Sequence, residues 1–566
     1  MVSGRRAFAR RTPAETLAAI LRDEPPKLAE QGQEVPPELQ RVINRCLKKK
    51  VEGRFQSARD LAIDLEALLS GAAITTPAPT HSSKRMRPAL WAAAILALLL
   101  AGLSLYLTMW RDQPVNQPID SIAVLPLVNA SGDADTEYLS DGLTEDLINS
   151  LSHVSKLRVI ARTTVFRYKG REVDPLKVGG ELKVRAVLTG RVLLRGDTLS
   201  IQADLLDVGS GTQLWGQRFN QKLTNIFAVQ AEIAQQISNG LSLKLPGAEQ
   251  QRLAKRYTEN IEAYQLYHKG RRLAFKFSKE GMEKAPGYFQ QAIQLDPNYA
   301  LAYAGLAEYY IIYYDPSTAA AAKQAARKAL ALDETLTEAH YALALVSEVY
   351  EWDWAQAERE YQRAIALSPG SASAHDWYGW YLAKLGRVDE ALAELKLAQQ
   401  LDPLSVHINT NLGRAFYFGR RYDQAIEQFQ KAIDLDPNFW MARGYLGLAY
   451  EQQARYEEAI AEFQKTFNLF PDVGLAYVGH GLAVSGKRSE ARKVLDECQR
   501  SKSAPPWALA TLYTGLGEKD QAFAWLDKAA EERFVILASI KADPVFDSLR
   551  SDPRYAALLR RMGLQP

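Results

Sequence analysis

The chain of 566 residues has only two cysteines, Cys46 and Cys498. Two thiols cannot supply a four-ligand zinc site or a disulfide framework, so stability has to come from packing. The net charge is +3, from 69 basic and 66 acidic residues. A dedicated nucleic-acid binder would show a strong basic excess, so no nucleic-acid partner is expected. The seven histidines are scattered singly, without HExxH or paired-ligand spacing, and neither a metal nor a cofactor is expected. Gly481–Ser489, GLAVSGKRS, falls short of a phosphate loop: Arg488 stands where a magnesium-holding hydroxyl belongs, and Gly486 fits a helix end instead. What is present is ordinary for folded protein, 47% apolar and 24% charged, over a length that implies several domains.

Pro88–Trp110 carries no charge over 23 residues. At ~1.5 Å rise per residue such a helix crosses a bilayer core of ~30 Å. Trp91 lies near one end, Tyr106 and Trp110 near the other, at the depth that amphipathic rings favour. Lys84, Arg85 and Arg87 precede the span and only Arg111 closely follows it. The positive-inside rule then predicts one membrane-crossing helix in the cytoplasmic membrane, with residues before 88 inside the cell and 111–566 periplasmic or extracellular. The two cysteines fall on opposite sides of it. Residues 71–87 begin with GAAITTPAPTHSS and read as a flexible linker.

Residues 1–70 read as short helices: Thr12-Pro13 opens one, Pro37 another, and Ser57 caps a third. The strings SGRRAF, TLAAILRDEPP and VPPELQRVINRCLKKKVEGRFQSARDLAIDLEAL resemble the last part of a bacterial serine/threonine kinase domain. The resemblance implies that Arg54 is the structural arginine of the final subdomain, which pairs with a glutamate at the end of the activation segment. Upstream there is no Gly-rich loop, phosphate-pairing lysine, catalytic aspartate or metal-binding aspartate, so the sequence predicts no kinase activity for the chain as it stands. The alternative is that it forms the C-terminal fragment of a receptor-like kinase.

Residues 119–246 change character. SIAVLPL and LRVIAR are strand-like, DGLTEDLINSLSHV carries a helical stripe, and AVLTGRVLLRG and TLSIQADLLDV flank a Gly196-Asp197 turn. GTQLWGQRFN adds a strand and IFAVQAEIAQQISNGL a helix. The order β-α-β-α-β-β-β-α implies a small α/β domain with a mixed sheet. It resembles the TolB-amino-terminal-like family, which implies a non-catalytic accessory or sensing module. Asp141, Glu145 and Asp146 read as a helix start favoured by the helix dipole, and His153 as a helix end.

Residues 258–536 are periodic and helical. Ala372–Ser405, Val406–Phe439 and Trp440–Val473 align at 34 residues without gaps. Each has a large-small pair (Tyr378-Gly379, Leu412-Gly413, Leu446-Gly447), an alanine (Ala391, Ala425, Ala459), a bulky residue four later (Leu395, Phe429, Phe463) and a closing proline (Pro403, Pro437, Pro471). Small residues let two helices approach, bulky ones fill between hairpins, and proline ends a helix. This is the pattern of the tetratricopeptide repeat (TPR) family, with looser copies bringing the total to about eight hairpins. Tyr309, Tyr310, Tyr313 and Tyr314 read as packing between repeats. Residues 539–566 read as a capping segment with charged outer positions.

The predicted fold class is thus mainly α: a TPR solenoid with a small α/β domain, one membrane helix and a short kinase-like remnant. By the family's register the first helices line a concave groove that takes a protein or peptide partner. Trp380, His407, Arg414, Tyr417, Met441 and Glu451 are the expected contact residues. The expected role is that of a membrane-anchored interaction scaffold of a bacterial signalling system, without catalytic residues of its own.

Overall fold

A computed structural model describes residues 36–48, 55, 61–62, 65 and 119–565, apart from 134–135, 242, 244, 254, 275–278, 313–315 and 502–503. The chain divides into two compact units, 1–115 and 116–566. In the first, helix α1 (Pro37–Cys46) begins at the proline expected to open it, with Val42 buried. The Arg45 guanidinium lies 4.3 Å from the Phe55 ring centre. Arg54 and the expected span Pro88–Trp110 lie outside the described residues. Among those described, no helix is long and apolar enough to cross a membrane.

The second unit opens with the α/β domain: β1 (Ser121–Val124), β2 (Val128–Asn129), α2 (Glu137–Ser152), β3 (Arg158–Val159), α3 (Arg162–Val165), α4 (Pro175–Glu181), β4 (Ala186–Arg195), β5 (Thr198–Asp207), β6 (Gln213–Lys222), α5 (Ile226–Gly240) and α6 (Gly247–Leu253). The sheet order is β3-β1-β4-β5-β6, with β2 also pairing β4. The β1–β3, β1–β4 and β2–β4 pairs are parallel, whereas β4–β5 and β5–β6 are antiparallel, so the sheet is mixed. The β4–β5 turn places Gly196 at φ +59°, which a side chain would resist. One apolar core joins strands, α2 and α5.

Eight helical hairpins follow among the described residues: α7 (Ile261–Ala274) with α8 (Lys279–Leu295), α9 (Ala300–Ile312) with α10 (Ala319–Leu332), α11 (Thr337–Val346) with α12 (Trp354–Leu367), and α13 (Ala372–Lys384) with α14 (Val388–Leu401). Then come α15 (Val406–Phe418) with α16 (Tyr422–Leu435), α17 (Trp440–Gln452) with α18 (Tyr456–Leu469), α19 (Pro471–Val484) with α20 (Arg488–Ser501), and α21 (Pro506–Leu516) with α22 (Lys519–Glu531). Two 3₁₀ turns, Val535–Ser539 and Pro544–Leu549, lead to the last helix, α23 (Pro553–Arg561).

The small-bulky spacing does what the sequence implies. A Cβ on Gly379, Gly413 or Gly447 would lie 2.6 Å from Leu395, 2.5 Å from Phe429 and 2.4 Å from Phe463 respectively. Only glycine lets the two helices of each hairpin meet over that side chain. A second periodic device was not read from the sequence. Near the start of four successive first helices, α11, α13, α15 and α17, a polar side chain donates to the carbonyl six residues back. Asn409 does so to Pro403 at 3.1 Å and Arg443 to Pro437 at 2.7 Å. His340 and His375 sit likewise on Glu334 and Pro369, at 2.9 and 3.0 Å. The residue identity changes from repeat to repeat, so no single letter marks it. Among the aromatic cluster, Tyr309 and Tyr310 share a core with Tyr267 and Phe289 of the first hairpin, as packing between repeats requires, while Tyr313 and Tyr314 lie outside the described residues.

Gly447→Ala is expected to lower the melting temperature of the array, at a cost of about 1–3 kcal/mol, because the methyl group overpacks the Phe463 contact. Gly180→Ala, in open space on α4, is expected to leave it unchanged or slightly raised. Circular-dichroism melts of the two variants check the contrast.

Candidate functional site

The inner face of the solenoid is lined by the first helices of the hairpins, and three of the six expected contact residues meet there in one cluster. Trp380 on α13 stacks on Phe418 at 5.3 Å. The Arg414 guanidinium from α15 lies 3.4 Å from the Trp380 ring centre and 4.6 Å from that of Tyr445. Its Nη2 donates to the Tyr445 hydroxyl at 3.1 Å, and Nη1 lies 3.6 Å from the Met441 sulfur. Cation–π contact and hydrogen bonds thus fix a charged side chain among aromatic rings. His407 stands apart on the rim, its side chain 38% exposed and 2.9 Å from Asp376.

Tyr417, Glu451 and Trp380 are not placed as the open-groove expectation has it, Trp380 being buried within its own cluster. Tyr417 is fully buried, its hydroxyl 3.5 Å from Asp543. Glu451 is buried and 3.0 Å from His480 Nδ1. The reason is that the chain's own end fills this half of the groove. Arg420 donates to the Ala542 carbonyl at 2.9 Å and to Asp547 at 2.8 Å. Trp354 Nε1 donates to the Met562 carbonyl at 2.7 Å, and Arg533 lies 3.9 Å from the Trp352 ring centre. Leu537, Ile540, Phe546, Leu549, Leu558 and Met562 are all buried in the same core as the repeats. The segment expected to cap the array with charged outer positions therefore folds back along the inner wall, because its apolar residues outweigh its charges.

One signal in the sequence marks this. The turns inside the hairpins need a left-handed residue, supplied by Gly386, Gly486 and Gly517 at φ +80°, +86° and +74°. Trp352, Arg420 and Ala454 adopt φ +59°, +59° and +57° at such turns without being glycine; of these Arg420 holds the C-terminal segment through Ala542 and Asp547.

The other half of the inner face is covered by α2 of the α/β domain. Asp141, Glu145 and Asp146 do not start that helix, which begins four residues before Asp141, at Glu137. They lie in its second and third turns, where the dipole of the helix start has faded. Glu145 instead accepts from Arg271 on α7 at 2.8 Å and lies 3.2 Å from Arg162. Arg271 also pairs with Glu308 on α9, whose other oxygen accepts from Tyr341 on α11 at 2.8 Å. Although burial alone would raise it, the two guanidinium groups hold the Glu145 carboxyl down at about 2. Asp146 accepts from Tyr264 at 2.7 Å, and His153 follows the helix as its C-cap, 3.3 Å from the Leu367 carbonyl.

That carbonyl belongs to a series. Leu367, Leu401 and Leu435 end the second helices of three successive hairpins, and each carbonyl accepts from the α/β domain or the stretch that follows it. The donors are Arg252 at 3.1 Å, the Ala161 amide at 2.9 Å and Arg167 at 3.3 Å. Unsatisfied carbonyls at helix C-termini carry partial negative charge, which suits arginine. The 34-residue period of the array thus becomes a docking edge. At the same edge Thr164 donates to Asp402 at 2.6 Å.

Asp543 and Asp402 are both pushed up to about 6, chiefly by burial. Asp543 faces Tyr417, Arg414, Arg420, His480 and the Val545 amide, and the cations and the amide only partly offset burial. Each acid binds its proton more tightly folded than unfolded. The stability they lend is complete below the unfolded value of about 4 and is lost as pH rises through about 6. Asp543→Asn is expected to flatten the fall in stability between about pH 4 and 6, and adding Asp402→Asn to flatten it further. Denaturant midpoints measured across that window check the slope.

Comparison with known proteins agrees with the repeat architecture. Residues 347–406 and 410–467 match the tetratricopeptide repeat family. Residues 118–236 match the second domain of HilA/YgeH-like transcriptional regulators. Over 232 residues the chain is 37% identical to putative adenylate cyclase 3 of Rhizobium meliloti, covering 40% of each chain. Over 299 residues it is 23% identical to the transcriptional regulator HilA of Salmonella typhimurium, covering 51% of this chain and 52% of that protein. The chain therefore spans at most about half the length of these relatives. Among solved structures, Pseudomonas aeruginosa PilF aligns at a TM-score of 0.31 and 25% identity, over 36% of this chain and 92% of that one.

Proposed function

We propose that this chain, whose residues 347–406 and 410–467 match the tetratricopeptide repeat family, serves as a membrane-anchored interaction scaffold of a bacterial signalling system. One observation carries the binding role. The inner face already holds two segments of the chain itself, α2 and the stretch from Val535 to Leu564. A wall that accepts a helix at one end and an irregular apolar segment at the other has the adaptable, aromatic chemistry of a peptide-binding surface. Arg414, Met441 and His407 are the accessible contact residues of this reading. Trp380, Tyr417 and Glu451 are buried and become available only when what covers them moves. Relatives named for a cyclase and for a transcriptional regulator share parts of this chain. Sharing between such different activities suits an accessory module that is the seat of neither.

Anchoring rests on the uncharged run Pro88–Trp110 and its flanking cations. In this reading the described α/β and TPR domains lie outside the cytoplasmic membrane. The non-catalytic role proposed for the α/β domain is in keeping with its carboxylates, since Glu145, Asp141 and Asp146 each hold a partner within the fold.

Two experiments test the reading. His407→Ala with Arg414→Ala is expected to abolish co-purification of a reproducible set of proteins while leaving the circular-dichroism spectrum unchanged. Equal recovery with wild type removes the inner face as the binding surface. Alkaline carbonate washing of membranes is expected to leave the full chain in the pellet and to release a variant lacking residues 88–110. Release of both sinks the anchor.

A further inference from the structure

The sheet of the α/β domain ends in a free edge. Strand β6 is the last in the order, and among the described residues it packs mainly against β5, α5 and the turn that joins it to α5. It is 10 residues long and holds no proline. Such an edge presents a row of unpaired N–H and C=O groups, which invites another strand. The hairpin fixes where those groups point. The Leu223 amide donates to the Asp197 carbonyl at 2.7 Å, so the odd-numbered residues of β6 hydrogen-bond with β5. Gly216, Arg218 and Asn220 therefore turn their backbone groups outwards. A register shift at Leu205/Leu206 sets off the start of the strand and leaves Trp215–Lys222 regular.

The side chains say what fits this edge. Asp204 of β5 stands opposite Gly216. A Cβ on Gly216 would lie 2.6 Å from Asp204 Oδ1 and 1.9 Å from Gln213 Nε2, so the carboxylate leans over the glycine. Among the described residues Asp204 accepts from the amides of Gln213, at 2.9 Å, and Gln202, at 3.1 Å, and forms no ion pair. Arg218 is exposed and donates to the Gln202 side-chain oxygen at 3.3 Å. On the other face of β6, the Trp215 and Phe219 rings lean together over Gln217, 6.3 Å apart.

A cation on an edge ordinarily keeps a second strand away. One antiparallel register of β6 with itself reverses this. With Gln217 opposite Gln217, Arg218 of each copy faces Gly216 of the other, Trp215 faces Phe219, and no like charges are directly opposed. The Arg218 and Asp204 Cα atoms then stand about 10 Å apart across the glycine, from ~5.5 Å at a hydrogen-bonded pair and ~4.5 Å at a non-bonded one. A long arginine side chain and a carboxylate already leaning towards it span that gap. A register centred on Arg218 would instead set arginine against arginine.

We propose that the chain forms a two-fold dimer through β6, paired antiparallel with β6 of a second copy about Gln217, so that two sheets become one. Symmetry forms every contact twice: the Arg218–Asp204 ion pair, the Trp215–Phe219 contact, and the backbone ladder of Gly216 with Arg218. The ion pairs are exposed and select the register, while the ladder and the aromatic pairs supply adhesion. The α/β domain meets the helical array through Ala161, Thr164 and Arg167, which follow β3 at the opposite end of the sheet. Dimer formation through β6 leaves that seam intact.

The test is oxidative crosslinking of the full chain in detergent with copper phenanthroline. All variants carry Cys46→Ser, and Cys498 is buried. Gln217→Cys is expected to give a disulfide-linked dimer, because non-bonded opposed residues lie ~4.5 Å apart at Cα, within disulfide reach. Asn220→Cys, whose opposite number is Leu214, is expected to give none. Arg218→Glu added to Gln217→Cys is expected to cut the crosslinking rate about tenfold. Adding Asp204→Arg as well restores the pair with its charges exchanged, and with it the rate. An unchanged circular-dichroism melt in Arg218→Glu separates lost pairing from lost folding. No dimer from Gln217→Cys, an equal dimer from Asn220→Cys, or a rate indifferent to Arg218→Glu would overturn the proposal.

Discussion

The inner wall of this solenoid is apolar and aromatic, and covering it is the constraint on which the rest of the second unit depends. A hairpin cannot bury its apolar stripe alone, and stacking buries only the surfaces between neighbours. The curved wall made by the first helices remains, from α7 to α19, carrying Trp380, Tyr417, Tyr445 and Tyr477 in its C-terminal half. Left to water, such a wall is a large exposed apolar patch. Here the chain supplies its own cover from both directions, by α2 ahead of the array and by the Val535–Leu564 stretch behind it.

The two covers work by different physics. The C-terminal segment is held mainly by burial, with Leu537, Phe546, Leu558 and Met562 sharing one core with the repeats. Its polar contacts, Arg420 with Asp547 and Trp354 with the Met562 carbonyl, fix register over apolar contacts that are not directional. Helix α2 is held by a buried chain of charges, Arg162–Glu145–Arg271–Glu308, that ends on the Tyr341 hydroxyl. Buried ion pairs give little net stability, but removing one member strands the others. Such a relay discriminates against every seating of α2 except the one that pairs all four charges. Specificity is therefore concentrated at the α/β seam, and adhesion at the C-terminal end.

The repeats were legible because their signal is local and repeated. Gly413 and Phe429, or Gly447 and Phe463, announce one helix-helix contact at a fixed spacing, and three copies in register leave no other period. The mixed sheet of the α/β domain and its β4–β5 hairpin were legible for a similar reason, from alternation and the Gly196-Asp197 turn, whereas the two-residue strand β2 was too short to show. What covers the groove was not. The contacts from Tyr417 to Asp543 and from Glu145 to Arg271 each join residues 126 apart. Nothing in Asp543–Leu564 tells an outer cap from an inner lining, since both need an apolar face. The carboxylates of α2 were misplaced for a smaller reason: the helix starts four residues before Asp141, which moves them from the cap to the buried side. Of the expected contact residues, the register put Trp380, Arg414 and Met441 on the inner face in one cluster. It could not say that Trp380, Tyr417 and Glu451 are already buried.

A simple repeat stack is close to one-dimensional: each hairpin meets only its neighbours, so it can fray from either end. This one is braced. Arg252, Ala161 and Arg167 reach three successive helix ends, at Leu367, Leu401 and Leu435, so the α/β domain and the stretch after it bind hairpins three to five as one strut. The C-terminal segment does the same on the inside, linking Trp354 on the third hairpin to Met562 at the end of the chain, 208 residues away. Bracing on two sides couples hairpins that never touch. A change of occupancy at one brace is then felt along the array as a change in the stability of the whole, which an unbraced stack would dissipate within a repeat or two. The geometry thus favours transmission over simple display, and the place where both braces meet the array, hairpins three to five, is where that coupling is strongest.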